Sequence, residues 1–98
     1  MKITKNMNGT VLTVILEGRL DTVTSPALEK ELYALLPELK ELTLDFEKLE
    51  YLSSAGLRVL LASQKTMNKQ GSMKISHVNE TIMEIFEVTG FSDILTIE

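Results

Sequence analysis

Two adjacent hydroxyls, Ser53 and Ser54, stand in the run Tyr51-Leu52-Ser53-Ser54-Ala55-Gly56-Leu57-Arg58. A strand-like stretch, Leu42 to Phe46, ends shortly before them, and a long apolar-periodic stretch begins among them. The polar Glu47-Lys48-Leu49-Glu50 is expected to connect the two, with Leu49 as its one apolar anchor. The serines therefore fall where a helix opens, beside free backbone N–H groups and the positive end of the macrodipole. A serine in that place can cap the helix through its side-chain oxygen, a contribution of about 1 kcal/mol. A phosphorylated serine there would meet N–H groups suited to an anion and would bring about −1.5 to −2 charges to one loop. The two uses are compatible. On pattern alone the cap is the commoner, and the sequence leaves open which serine makes it.

Other residues could support this chemistry. Asp21 closes the segment Glu17-Gly18-Arg19-Leu20-Asp21, just after an apolar strand. Parallel neighbouring strands deliver their following loops to one end of the sheet, the usual place for function in open α/β folds. That reasoning sets Asp21 near Ser54; an Asx-type turn over Thr22 to Ser25 is the equally weighted alternative. Arg58 is expected on the water side of the second helix, next to the serine loop. Asp45, near the end of its strand, reads as structural, holding loop backbone. His77, the single histidine, has no evident acidic or nucleophilic companion and also reads as structural.

The elements that must position these groups follow from periodicity. Met1 to Met7 alternates, and Asn8-Gly9 before Thr10 to Leu16 marks a hairpin with a type I′ turn. The lysines of the first strand suit an exposed edge, whereas Thr10 to Leu16 is apolar on both faces, as an inner strand is. Glu17 to Asp21 should end it. Ser25 as cap with Pro26 after it opens the first helix, with Glu29 and Glu31 toward its positive end. Leu28, Leu32, Leu35, Leu36 and Leu39 form its buried stripe, and Pro37 stops it near Leu36. A strand over Glu41 to Phe46 completes a strand–helix–strand unit, which makes a parallel, right-handed crossover.

The second helix is expected from Ser54 to Lys69, with Leu57, Leu60, Leu61 and Met67 inward and Arg58, Lys65, Asn68 and Lys69 in water. Gly56 lowers its propensity, in exchange for close backbone approach at the loop. Gly71 ends it. Ser72 to Val78 reads as a strand, and Asn79 caps a third helix burying Ile82, Met83, Ile85 and Phe86. After Gly90, Phe91 to Ile97 reads as a turn and a last edge strand. The fold class is α/β: one domain over residues 1–98, a small mixed sheet with an N-terminal antiparallel hairpin, then parallel βαβ units, with helices packed against it.

Composition narrows the function. With 98 residues the chain has room for one core, and 44% apolar with 24% charged residues is ordinary for a globular domain. Lacking cysteine and holding one histidine, it offers no disulfide framework, no thiolate site and no His-based metal or catalytic cluster. No cofactor, metal or catalytic residue is therefore expected. A net charge of −4 without a basic stripe argues against nucleic acid. The N-terminus lacks a signal-peptide core and no run is long enough to span a membrane, so a cytoplasmic protein is expected. Phosphate-loop, nucleophile-elbow and metal-ligand spacings are missing, which makes an enzyme or nucleotide hydrolase the weakest reading.

The segment Asp45 to Leu57 resembles the signature of STAS domains, the family of bacterial anti-sigma-factor antagonists. In that family a strand ends and an Asp-Ser-(Ser/Thr)-Gly-Leu turn opens a helix, the serine after the Asp being the one a partner kinase phosphorylates. Matching Gly56-Leu57 to the family's Gly-Leu sets Ser54 on the phosphorylated serine, Ser53 on the Asp and Ala55 on the second hydroxyl. Chain length, element order and the Gly18-Arg19-Leu20-Asp21 segment fit as well. In the family, the Asp matching Asp21 lies beside the phosphorylated serine.

The resemblance implies a protein-interaction switch. Unmodified, the chain would bind an ATP-dependent anti-sigma serine kinase and free the sigma factor; phosphate on Ser54 would break that contact, and a serine phosphatase would restore it. Asp21, Ser53, Ala55, Gly56 and Arg58 would surround the switch. The chain would be a kinase substrate and not an enzyme; a monomer is the simplest expectation, and charge and hydropathy argue against nucleic acid and membrane insertion. Because Ser53 replaces the family's acid, the alternative is a STAS subunit docked constitutively on a transporter or signalling scaffold.

Overall fold

The computed structural model describes residues 1–98. The chain begins with strands β1 (Lys2–Asn8) and β2 (Val11–Leu20); Asn8 still pairs with Val11, so the loop is Gly9-Thr10 and not Asn8-Gly9, and with Gly9 alone at positive φ (+65°) the expected type I′ turn does not form. Helix α1 (Ser25–Leu35) and a 3-10 turn at Leu36–Glu38 lead to β3 (Glu41–Leu52). Helix α2 (Ser54–Gln70), strand β4 (Ser72–Ser76), helix α3 (Glu80–Thr89) and a 3-10 turn at Phe91–Asp93 complete it. The sheet order is β1-β2-β3-β4, antiparallel between the first two and parallel thereafter, the mixed sheet expected from the crossovers. Leu12, Val14 and Leu16 of β2 are buried with Leu42, Leu44 and Phe46 of β3, while Val11, Thr13 and Ile15 are only half-buried. One face of the sheet thus carries the core, and the other is partly wet.

The two inner strands run further than their patterns indicate. Glu47 to Glu50 is not a connection but part of β3, and Glu17 to Leu20 still belongs to β2. The reason lies in their register. Asp45 faces Ile15 but Lys48 faces Glu17, and Leu49 faces Gly18 but Tyr51 faces Arg19. Each step inserts an extra residue into β3, and such bulges interrupt the period-two alternation by which strands are recognised. Glu47 and Lys48 are consecutive exposed residues between buried Phe46 and buried Leu49. Gly18, at φ +104°, takes a backbone conformation there that other residues rarely adopt.

The helices match their stripes with particular exceptions. Leu28, Leu32, Leu36 and Leu39 are buried as expected, and the α-helix gives way to 3-10 geometry at Leu36-Pro37. Thr24, not Ser25, occupies the cap position of α1; Ser25 is its first residue, and no acidic side chain lies in the first turn. In α2 the buried set includes Val59, Ser63 and Gln64 besides Leu57, Leu60 and Met67, with Leu61 only half-buried. The cause is that α2 packs against α1 as well as against β3 and β4, so its covered face is wider than a single stripe. Asn79 caps α3 as expected, its Oδ1 accepting the Ile82 N–H at 2.9 Å. The last segment is not a strand: it touches the sheet by one parallel bridge, Ile97 to Ile75.

Candidate functional site

The β2 and β3 strand ends lie side by side, with Leu20 opposite Leu52, and the Leu20 carbonyl accepts the Ser53 N–H at 2.9 Å. This brings the loops that follow, Asp21 to Thr24 and Ser53-Ser54, to one end of the sheet. Ser53 holds the cap position of α2 with extended backbone (φ −101°, ψ 178°), and Ser54 is the first helical residue, exposed to solvent. Neither hydroxyl does what a cap does. No side-chain bond closes this end of α2, and the Ser53 Oγ is buried without a partner. The first intrahelical bond runs from the Leu57 N–H to the Ser53 carbonyl at 3.0 Å. The N–H groups of Ser54, Ala55 and Gly56 precede it and are the helix's orphan donors.

Gly56 fixes how closely this helix mouth sits on the strands. A Cβ there would come within 2.9 Å of Leu20 Cγ and 3.0 Å of Leu52 Cδ1. The benefit expected of Gly56, close approach, is therefore what the packing requires. Ala55 is half-buried beside it.

Asp21 spends its carboxylate on its own loop. Its Oδ1 accepts the Val23 N–H at 3.0 Å, the Thr24 N–H at 3.1 Å and the Thr24 hydroxyl at 3.2 Å. These bonds make the Asx-type turn that was one of its two readings. They hold its pKa below the ordinary aspartate value, the Thr24 N–H most of all, against partial desolvation, with the Thr24 hydroxyl, the Val23 N–H and the charge of Arg19 adding to the same effect. Asp21 makes no hydrogen bond to Ser53 or Ser54.

Arg58 lies one turn along α2 from Ser54, exposed and without an ion pair or hydrogen bond. Ser54 and Arg58 share a groove of about 320 Å³ with Ser25, Pro26 and Glu29 of α1. Both helix N-termini thus open on one depression. Arg19 instead stacks on Tyr51, its guanidinium carbon 4.6 Å from the ring centre.

His77 has the acidic companion that the sequence did not reveal. Its Nδ1 lies 3.0 Å from Asp45 Oδ1, across 32 residues of chain. Asp45 Oδ1 also accepts the Glu47 N–H at 3.0 Å, the backbone role expected of it. Asp45, Glu47 and His77 bring metal-ligand-type atoms within 4.8 Å of one another. Only the parallel pairing of β3 with β4, which sets Asp45 opposite Ser76, puts them together. No helix of the structure is long and apolar enough to cross a membrane.

Comparison with known proteins bears on this arrangement. A family model described as "Mlab, STAS domain" matches residues 3–96. The chain is 30% identical over 87 residues to the anti-sigma-B factor antagonist of Bacillus subtilis (strain 168), covering 88% of this chain and 80% of that protein. A crystal structure of an anti-sigma factor antagonist from Mycobacterium paratuberculosis aligns with a TM-score of 0.88 at 24% identity, over 98% of this chain and 83% of that one. The Bacillus cell fate determinant SpoIIAA in its phosphorylated form aligns with a TM-score of 0.79 at 15% identity, over 99% of this chain and 91% of that one. These structural likenesses show the fold.

Proposed function

The chain belongs to the STAS domain family, and from that premise we propose that it is an anti-sigma-factor antagonist switched by phosphorylation of Ser54. It acts by binding a protein of the anti-sigma system, a serine kinase that holds the sigma factor when this chain does not occupy it. The kinase passes the γ-phosphoryl group of ATP to the Ser54 Oγ; the hydroxyl proton leaves and ADP departs. The modified loop then repels the kinase, and a serine phosphatase returns it to the binding form. The chain is the substrate in this cycle and performs no chemistry of its own.

One observation carries this reading: Ser54 is exposed as the first residue of α2, and no side chain caps that helix. A hydroxyl there is open to an enzyme's active site. The adjoining N–H groups and helix dipole stabilise the phosphate that arrives, by roughly 0.3–1 kcal/mol at an exposed helix end. The domain thus tolerates the charge, while a partner seated over the loop, through acidic groups of its own, does not. Ser53 accommodates the switch differently from an acid: its oxygen is buried and brings no charge beside the phosphate.

The test is to incubate the protein with the anti-sigma kinase and ATP and to weigh it. A gain of one phosphoryl group, lost in Ser54→Ala, is expected. Binding of the kinase with no phosphate ever transferred would instead favour a constitutive docking subunit.

A further inference from the structure

Arg58 is an arginine with nothing to hold. It is exposed and makes no ion pair, although Glu29 lines the same groove from α1. Residues four apart on a helix are surface neighbours, with Cβ atoms about 5–6 Å apart, so its guanidinium can reach whatever is attached to Ser54. The acidic group N-terminal to the basic one is also the favourable order on a helix.

A second observation points to the same place. Ser25, across the groove on α1, is only 3% exposed, and its Oγ has no hydrogen-bond partner. A buried hydroxyl is ordinarily satisfied, and its proton turns freely toward an acceptor. The groove therefore has, around one serine, an unpaired guanidinium and the uncapped N–H groups of Ser54 to Gly56, with the unpartnered Ser25 hydroxyl buried in its wall. All of these are donors, and no neutral ligand needs that many.

Resting on the reading of Ser54 as phosphoacceptor, we propose that Arg58 is an internal clamp for the phosphate. The phosphoryl group on Ser54 folds back along α2 into a bidentate contact with the Arg58 guanidinium, as arginine makes with phosphate. Glu29, the other charged residue of the groove, opposes a free anion there. A phosphate tethered to Ser54 overcomes that opposition because attachment gives it a high effective concentration. Phosphorylation then changes the docking face twice: it adds negative charge and it withdraws the Arg58 cation from that face.

The test installs phosphoserine at position 54 by genetic-code expansion, so that no kinase is needed, and follows its 31P resonance against pH. Free phosphoserine loses its second proton near pH ~6. In the folded protein that midpoint should lie roughly half a unit lower. Arg58→Gln should return it by a few tenths of a unit, and Arg58→Lys should keep most of the shift. An Arg58→Gln titration superimposable on that of the parent overturns the clamp. Because the phosphate is installed directly, that result leaves the kinase reading standing, and a kinase that ignores Ser54 leaves the titration informative.

Discussion

The Ser53 N–H donates to the Leu20 carbonyl at 2.9 Å, and this bond ties the end of β3 to the end of β2 where both chains leave the sheet. It is the anchor of the candidate site. The Asp21 turn starts one residue after Leu20 and the exposed Ser54 hydroxyl one residue after Ser53, so neither loop can drift without breaking it. Bulges in β3 bring these ends level, since two extra residues are absorbed before Leu52 faces Leu20. Under the proposed switch, a modification of Ser54 would act on a platform anchored to the sheet by the bond from Ser53 to Leu20.

The platform depends on Gly56. Alanine there would push into Leu20 and Leu52, which are both buried. Overpacking of this kind costs roughly 1–3 kcal/mol, and the better helix propensity of alanine returns about 1. Gly56→Ala should therefore lose on the order of 1 kcal/mol in urea unfolding and weaken partner binding by tilting the mouth of α2. Unchanged stability together with unchanged binding would show that the close approach is not required.

Gly71 is held by backbone, not by side chains. A Cβ on it would land on the Lys40 carbonyl oxygen. That carbonyl cannot step aside, because it accepts the Ser72 N–H at 2.9 Å at the start of the β3–β4 pairing. Gly71→Ala should cost about 3 kcal/mol or more, and thermal unfolding followed by circular dichroism would read it. Because the backbone of Gly71 is extended, at φ −176°, the loss is steric, and an equally stable variant would contradict that account.

Asp21 gives the stability a dependence on pH. Its folded pKa is lowered by the Thr24 N–H above all, so the folded state favours the carboxylate more than the unfolded state does. Such a group contributes stability that is present above the unfolded aspartate pKa and is lost as pH falls through the lower folded value. The gap in unfolding midpoint between the parent and Asp21→Asn should be constant near neutrality and close in acid. A gap that widens in acid would reverse the sign and the assignment.

Much of this was legible in the chain, and the exceptions have physical causes. Gly9 announced the hairpin but not its turn, since the loop falls one residue later than Asn8-Gly9 implied, and Asn79 announced α3 because its side chain does the capping. Glu47 to Glu50 passed for a loop because bulges break the alternation that marks a strand. The burial of Ser63 and Gln64 was hidden because hydropathy ranks them polar, while α2 is covered from two sides. The Asp45–His77 contact joins residues 32 apart, and His77 reaches it from a positive φ of 59°, which no local pattern reports. The position of Ser54 at a helix mouth was readable because it needs only the boundary between two periodicities. The absence of a side-chain cap beside it was not, since capping depends on where each oxygen turns.

The central claim concerns charge on one exposed oxygen, and the most direct measurement is the affinity of the anti-sigma kinase for two forms of this chain, unmodified and carrying phosphoserine at position 54. The unmodified form should bind, and the phosphorylated form should bind at least about tenfold more weakly, as like charge at a docked face requires. Equal affinities for the two forms would contradict the switch.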